Sequence, residues 1–342
     1  MPALCHLRGS ARHPPAAILT VMTQRHRPAE ATVRVPARVS LAGNPSDGYG
    51  GAVVATCLWT FAAEVTVGLS DGPTAPQNLP LAEATRTRFD REIAHKSNLS
   101  AADITVDTTI PRSVGLAGSS AIVTATIRAL ASYAGVTLPP GRIAAMTHAI
   151  ERTDLDIAGG WQDEIMQAHQ GTRLMRFDGA PRHRELTPTA TRSIPLYLAW
   201  QPTTAQASSI PHGNLAQRNA STAGGAHANI AAAMVALAEE ARRAADAIEH
   251  GDVHVLKDAM NQSFDLRASI MPIEPAHQAM IDAARRAGAA ANFSGSGGAI
   301  VGVVPKDPDR LLEALDDAGL SVTTWDLAAP PQPVPEPWIT DD

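Results

Sequence analysis

Cysteine is nearly absent: two residues, Cys5 and Cys57, in a chain of 342. They make no metal-ligand spacing, and one pair is no disulfide framework. The expected setting is therefore reducing and cytoplasmic. No apolar run approaches the roughly 20 residues that a membrane helix needs, so no membrane association is expected. Positive charge is not in excess. Lys and Arg number 28 against 34 Asp and Glu, a net charge of -6, which leaves out the basic footprint of a nucleic-acid binder. An anionic ligand would have to be met by a few placed arginines and backbone amides rather than by a general positive field. Two phosphate-binding patterns are also missing. There is no G-x-x-x-x-G-K-[ST] of a Walker loop. The run Gly295-Ser296-Gly297-Gly298 lacks the G-x-G-x-x-G spacing and precedes a strand, which argues against a dinucleotide fingerprint.

What is present is the composition of a soluble globular protein, 18% charged and 44% hydrophobic, with length enough for one large domain or two packed halves. Residues 1–30, rich in His, Arg, Pro and Ala, are expected to stand outside the fold, either disordered or upstream of a true start at Met22. The apolar piece 16–22 is too short and irregular for a signal-peptide core. Strands are expected at 32–42, 52–67, 104–110, 173–177, 195–200, 299–304 and 322–325. Helices are expected at 120–134, 141–154, 161–169, 226–250, 252–264, 274–287 and 308–318. Residues 70–80 and 181–194 read as loops, and the tail 329–342 as flexible. The order is mixed strands and helices, then helices, then strand-helix-strand. That is an α+β fold rather than a strict βαβ array.

The strongest local signal is Pro111-Arg112-Ser113-Val114-Gly115-Leu116-Ala117-Gly118-Ser119-Ser120-Ala121. A strand ends, small residues turn, and a helix begins. Glycines permit close backbone approach and positive φ. The amides of Gly118, Ser119 and Ser120 would be free donors at a helix start, where the dipole favours phosphate. The alternative, of equal weight on this segment alone, is that the two serines only cap the helix.

Two further glycine-rich segments turn this signal into a resemblance. Val35-Pro36-Ala37-Arg38-Val39-Ser40-Leu41-Ala42-Gly43-Asn44 is similar to A-P-G-[KR]-V-x-L-x-G-E. Residues 111–121 are similar to P-x-x-x-G-L-G-S-S-A, with Ala117 inserted. Ser294-Gly295-Ser296-Gly297-Gly298 is similar to K-x-[ST]-G-[AS]-G-G-G. In this order they resemble the three motifs of the galactokinase, homoserine kinase, mevalonate kinase and phosphomevalonate kinase (GHMP) superfamily. The resemblance implies ATP and Mg²⁺, with the nucleotide held at Gly115, Leu116, Ala117, Gly118, Ser119, Ser120 and Ala121. It implies an N-terminal lobe at 31–185 similar to ribosomal protein S5 domain 2, a ferredoxin-like C-terminal lobe at 194–328, and a cleft between them. Glu151 would ligate Mg²⁺ with a motif serine, Ser120. Asp163, twelve residues on, would accept the substrate proton, with Arg38 as its fixed cationic partner. The alternative for Glu151 is a solvated helix residue. Glu164, beside Asp163, is assigned to structure.

Finer features resemble the glucuronokinases: G-N-P-S-D-x-Y at 43–49, the inserted Ala117, N-Q-S-F-D-L-R at 261–267, and Gln217-Arg218. That family phosphorylates the anomeric hydroxyl of D-glucuronate. The resemblance puts Asn44, Asp47, Tyr49, Arg218, Arg267 and Gly297 on the substrate side. A buried carboxylate wants an arginine fork, and Arg112, Arg218 and Arg267 are the candidates. Arg112 could equally sit by the phosphate loop, Arg267 could be a surface or buried structural residue, and Asp47 an Asp-Gly turn. Another sugar kinase (galacto-, arabino-, fuco- or heptokinase-like), a non-catalytic sensor of this fold, and an ATP-dependent decarboxylase are the competing readings. No oligomeric state is read from the sequence.

Overall fold

The computed structural model describes residues 28–68, 79–93, 99, 102–157, 159–188, 194–202 and 225–327. Strand β1 (Glu30–Ala42) shows the period of a half-buried strand: Val33, Val35, Ala37, Val39 and Leu41 turn into the core, while Glu30, Thr32 and Arg34 face outward. From Pro36 onward the alternate face is buried as well, and helix α4 (Trp161–His169) packs against this strand. β1 pairs antiparallel with β2 (Ala52–Gly68). The register jumps between Pro36, opposite Ala62, and Ala37, opposite Leu58, an irregularity of the kind that bends a strand and re-aims its side chains. β2 then pairs with β3 (Asp103–Thr108) along one half and β4 (Thr172–Arg176) along the other, and β4 with β5 (Arg182–Glu185). The result is a five-stranded antiparallel sheet.

Helix α2 (Gly118–Tyr133) is buried almost all round over 120–127 and packs on β1 and β2. Helix α1 (Leu79–Glu92) covers α2. Helix α3 (Pro140–Ala149) opens on a proline at its first position, where the missing N–H costs nothing. It runs on into a π turn, Ile150–Asp154, a local widening frequent at functional sites.

The second sheet has the order β7 (Asn292–Phe293), β8 (Ala299–Val303), β6 (Pro195–Trp200), β9 (Ser321–Asp326), all antiparallel. Helices α5 (Gly225–His250), α6 (Val253–Ile270) and α7 (Pro275–Arg286) connect β6 to β7, and α8 (Pro308–Asp317) connects β8 to β9. This is a ferredoxin-like order. α5 also touches β1 and β2, and one apolar cluster runs from Val39 and Val54 through Ala241 and Leu256 to Val301. The two sheets are thus joined by a shared core.

Three expectations are corrected. Leu79 and Pro80, read as the end of a loop, begin α1, whose only buried positions are Ala82, Thr85 and Phe89. Residues 182–185, read as loop, form β5; a charged edge strand with little burial gives no apolar alternation. α6 also continues six residues past the expected 264, which carries Arg267 into the helix. Residues 1–27 and 328–342 lie outside the described residues.

Candidate active site

The loop between β3 and α2 is held open by left-handed backbone at every second residue: Ser113 (φ 58°), Gly115 (φ 79°) and Ala117 (φ 58°). Alternation of this kind turns successive N–H groups into a concave nest for an anion. Gly115 is needed for a second reason: a Cβ there would stand 3.0 Å from the backbone nitrogen of Ser296. The N-cap of α2 is Ala117, and no side chain caps the helix. The serines are therefore not spent on capping. Ser120 is buried and donates to Glu151 Oε2 at 2.8 Å, and the Ser119 hydroxyl adds to the polar surroundings of this carboxylate.

Glu151 sits in the π turn, 4% exposed, with Oε1 lacking any partner. It is not a solvated helix residue. Burial, then the charge of Glu164, pushes its pKa up to about 7 against the two serine hydroxyls, with Asp163 adding to the rise. An unpartnered carboxylate oxygen beside a serine hydroxyl fits a hard divalent cation, which takes one or two carboxylates and completes its shell with phosphate oxygens and water. Among the described residues no group of three or more His, Cys, Asp or Glu is placed to hold a metal unaided.

Asp163 occupies the first turn of α4, behind the N-cap Gly160, where the helix dipole favours a carboxylate. Arg38, projecting from β1, donates to its Oδ1 from Nε at 2.9 Å and lies 2.6 Å from it through Nη2. Nη1 of the same guanidinium donates to the carbonyls of Gly115, at 2.9 Å, and Ser294. One buried cation therefore joins a partly exposed carboxylate to the backbones of two glycine-rich loops. The backbone repeats the link: Arg38 N–H donates to Leu116 and Ser40 N–H to Ser294. Glu164 faces the other way. It is buried, its Oε1 meets His148 Nδ1 at 2.9 Å, and that imidazole stacks on Trp161 at 4.0 Å. Burial holds the Glu164 carboxyl above its usual range.

Near Asp163 stand Asn44 and Asp47, with Tyr49 next to Asp47. Asn44 accepts from Ser40 Oγ and donates to Gln162 Oε1 at 2.8 Å. Its amide is tied into the scaffold, and the sequence reading did not single out Ser40 or Gln162 as its partners. Asp47 is half-buried, with Oδ2 3.3 Å from where a Cβ on Gly160 would stand. Burial first, then Asp163, pushes its carboxyl up to about 6, against the pull of Arg38. Half-buried Tyr49 packs with Ile230, Met234 and Leu237, and burial, then the Asp47 charge, raises its phenol. Gly297 is buried in the third loop with φ 123°.

Arg267 requires correction as an open fork for a substrate carboxylate. It is 1% exposed, its Nη1 donates to Gly295 O at 2.6 Å and its Nη2 to Ser296 O at 3.0 Å, and its guanidinium lies 5.0 Å from the Phe293 ring centroid. It braces the third loop from within. Arg112 is exposed on the phosphate loop; Gln217 and Arg218 lie outside the described residues.

A two-lobed α+β scaffold with a phosphate-type nest, an arginine-held carboxylate and a serine-bound glutamate defines a small-molecule kinase fold. The model for the GHMP kinases N terminal domain matches residues 81–171, and that for the GHMP kinases C terminal domain residues 244–320. The chain belongs to the GHMP kinase superfamily. It is 30% identical over 220 residues to probable glucuronokinase 2 of Arabidopsis thaliana, a match covering 61% of this chain and 58% of that one. To glucuronokinase 1 of the same organism it is 29% identical over 228 residues, covering 64% and 60%. The matches thus span less than two thirds of these relatives. Among solved structures, Streptococcus pneumoniae phosphomevalonate kinase superposes with a TM-score of 0.71 at 14% identity, over 87% of this chain and 99% of that one. Lactococcus lactis galactokinase complexed with galactose gives 0.70 at 12%, over 87% and 92%. These neighbours establish the fold. Among the described residues no helix is long and apolar enough to cross a membrane.

Proposed function

We propose that the chain transfers the terminal phosphoryl group of ATP to the anomeric hydroxyl of a sugar, with D-glucuronate as substrate and glucuronate 1-phosphate as product. The observation that carries the reading is the Arg38 guanidinium, which touches Asp163, Gly115 and Ser294 together. It gathers a base, a fixed cation and a phosphate cradle at one point, the needs of phosphoryl transfer. The lobes, divided at 31–185 and 194–328, contribute one glycine-rich loop or more each.

The amides at 118–120 hold the nucleotide phosphates. Asp163 accepts the proton of the sugar hydroxyl, that oxygen bonds to the terminal phosphorus, and the bond from phosphorus to the ADP oxygen breaks. Arg38 holds Asp163 in place and offsets charge on the transferred group. Glu151 and Ser120 are the residues that would hold Mg²⁺, which neutralises phosphate charge when bound. Asp47 and Tyr49 face the sugar, and Asn44 shapes that wall through Gln162.

The uronate is supported by the likeness to the glucuronokinases. With Arg267 engaged internally, Arg112 and Arg218 are left to meet its carboxylate. A heptose is the second reading, because 68 residues are 38% identical to D-glycero-alpha-D-manno-heptose 7-phosphate kinase of Campylobacter jejuni. A cytoplasmic setting without a nucleic-acid partner belongs to the same proposal. ADP release measured with glucuronate, galactose, arabinose, fucose and a heptose 7-phosphate decides the substrate. Glucuronate is expected to give the highest kcat/KM by at least about tenfold, roughly 1.4 kcal/mol of transition-state preference. A wide margin for another sugar overturns the uronate assignment. ADP release with no sugar dependence overturns the sugar kinase.

A further inference from the structure

The third glycine-rich loop is gripped through its carbonyls. Ser294 O accepts from Arg38 Nη1 and from the Ser40 amide. Gly295 O and Ser296 O accept from the two ends of Arg267. Three successive peptide oxygens are thus drawn onto two arginines, one from β1 and one from α6. In a trans peptide the N–H points opposite to the C=O. The amides of Gly295, Ser296 and Gly297 are therefore each turned away from the arginine that holds the preceding carbonyl. One of them stands at the phosphate loop: Ser296 N is 3.0 Å from where a Cβ on Gly115 would stand, and the two backbones are so close that a Cβ on Gly295 would meet Gly115 O at 2.5 Å. The loop also carries a fully buried hydroxyl, Ser294 Oγ, with no partner.

A guanidinium fully out of water is costly unless its surroundings hold it. Here two carbonyls and the face of Phe293 do so, while Nε has no partner. An aliphatic side chain would fill the space at lower cost. What it could not do is fix two consecutive peptide planes.

We propose that Arg267 is a positioning residue: by fixing the carbonyls of Gly295 and Ser296 it aims the amides of Ser296 and Gly297 at an oxygen of the phosphoryl group in flight, beside the phosphate loop. The identity of that anion rests on the kinase reading. The loop then acts as a preorganised donor set, formed before substrate arrives, of the type that stabilises charge developing in a transition state.

The test uses the full chain carrying Arg267→Met, which keeps length without charge, and Arg267→Lys, which keeps charge without the fork. Kinetics with ATP, Mg²⁺ and the sugar that the wild type phosphorylates are compared with the affinity for ADP–aluminium fluoride, a mimic of the transferring group. Arg267→Met is expected to lower kcat at least about 100-fold, the usual effect of losing oriented donors. Its affinity for the mimic falls in step, while KM for sugar and affinity for ATP stay within about threefold. Arg267→Lys recovers part of kcat, because one ammonium serves one carbonyl well. Phe293→Leu, which loosens the same packing without touching the carbonyls, keeps mimic affinity. An Arg267→Met protein with unchanged mimic affinity overturns the proposal, as does one whose ATP affinity falls equally. Should Arg267→Met not fold, Arg267→Lys decides: wild-type affinity for the mimic overturns the proposal, and at least about a tenfold loss supports it. A wild type that turns over no sugar sinks the kinase reading instead, and the mimic comparison still judges Arg267.

Discussion

The two loops that Arg38 joins are built on different principles. The phosphate loop at 111–117 takes most of its shape from its own backbone, with left-handed residues at 113, 115 and 117 and a helix with no side-chain cap behind it, and Arg38 adds two hydrogen bonds to its carbonyls. The loop at 294–298 takes its shape from elsewhere: Arg38 and Arg267 hold its carbonyls, and β7 and β8 hold its ends. One is a cradle whose turn comes mainly from its own left-handed residues, with Arg38 holding the carbonyls of Gly115 and Leu116. The other is a braced wedge pressed against it. The difference teaches that glycine has two jobs here. In the first loop it permits a conformation. In the second, Gly295 permits contact, since a methyl there would meet both Gly115 O at 2.5 Å and Arg38 Nη1 at 2.8 Å.

The largest effect is expected where both loops converge. Asp163→Asn keeps the size of the side chain and removes the proton acceptor that Arg38 holds. Turnover should fall by about 10³-fold or more, while ATP affinity, measured by calorimetry, changes little. An active Asp163→Asn enzyme removes Asp163 as the base and leaves the loops without a common centre.

Next comes the contrast between glycines. Gly295→Ala forces apart two backbones that have no flexible side chain to yield. A loss of kcat of about 100-fold and of stability by a few kcal/mol is expected. Gly118→Ala, at the mouth of the first loop, meets only Ile110 Cγ2 at 3.5 Å, an ordinary contact. It should leave Tm within about 2 °C. Equal effects at the two positions would break the distinction between wedge and cradle.

Glu151 sharpens it through pH. Its folded carboxyl is raised from 4.5 to about 7, so the native state binds this proton more tightly than the unfolded chain does. The stability it contributes is complete below about pH 4.5 and is lost as pH rises through about 7, roughly 3 kcal/mol in all. Thermal melts of wild type and Glu151→Gln from pH 5 to 8 should therefore diverge, the wild type losing stability relative to the variant as pH rises. Mg²⁺ with nucleotide should restore the wild type at pH 8 and not the variant. Parallel curves would place Glu151 outside a charge-sensitive pocket.

How much of this was legible in the sequence depends on how local each signal is. β1, β2, α2, α4, β6 and β8 carry dense apolar patterns, and their expected bounds agree with the structure to within a few residues. α1 escaped notice because two of its three buried positions are Ala82 and Thr85, which carry little hydrophobic signal. β5 is Arg-His-Arg-Glu, an edge strand that buries almost nothing. Asp163 and Arg38 were singled out by motif, but the contact between them spans 125 residues of sequence. Arg267 was noticed as a cation that seeks a carboxylate. Its partners turned out to be carbonyls 28 and 29 residues away, and backbone acceptors leave no mark in composition. The sequence showed a charge and not what would neutralise it.

The smallest expected effect tests the phosphate loop directly. Ala117, the residue inserted in the motif, holds φ 58° with no side-chain cap to compensate. A left-handed alanine costs roughly 1 kcal/mol, and glycine would remove that cost. Glycine also widens the unfolded ensemble, which returns part of the gain. Ala117→Gly should therefore stabilise the protein by about 0.5 kcal/mol, seen as a rise of Tm of about 1 °C. KM for ATP should rise modestly as the nest loosens, because the strain keeps the amides in their binding geometry before the nucleotide arrives. A more stable variant that binds ATP unchanged would mean that the alternation at 113, 115 and 117 is an accident of the turn. A more stable variant that binds ATP less well would mean that the loop holds this strain as the means of keeping its amides pointed at phosphate.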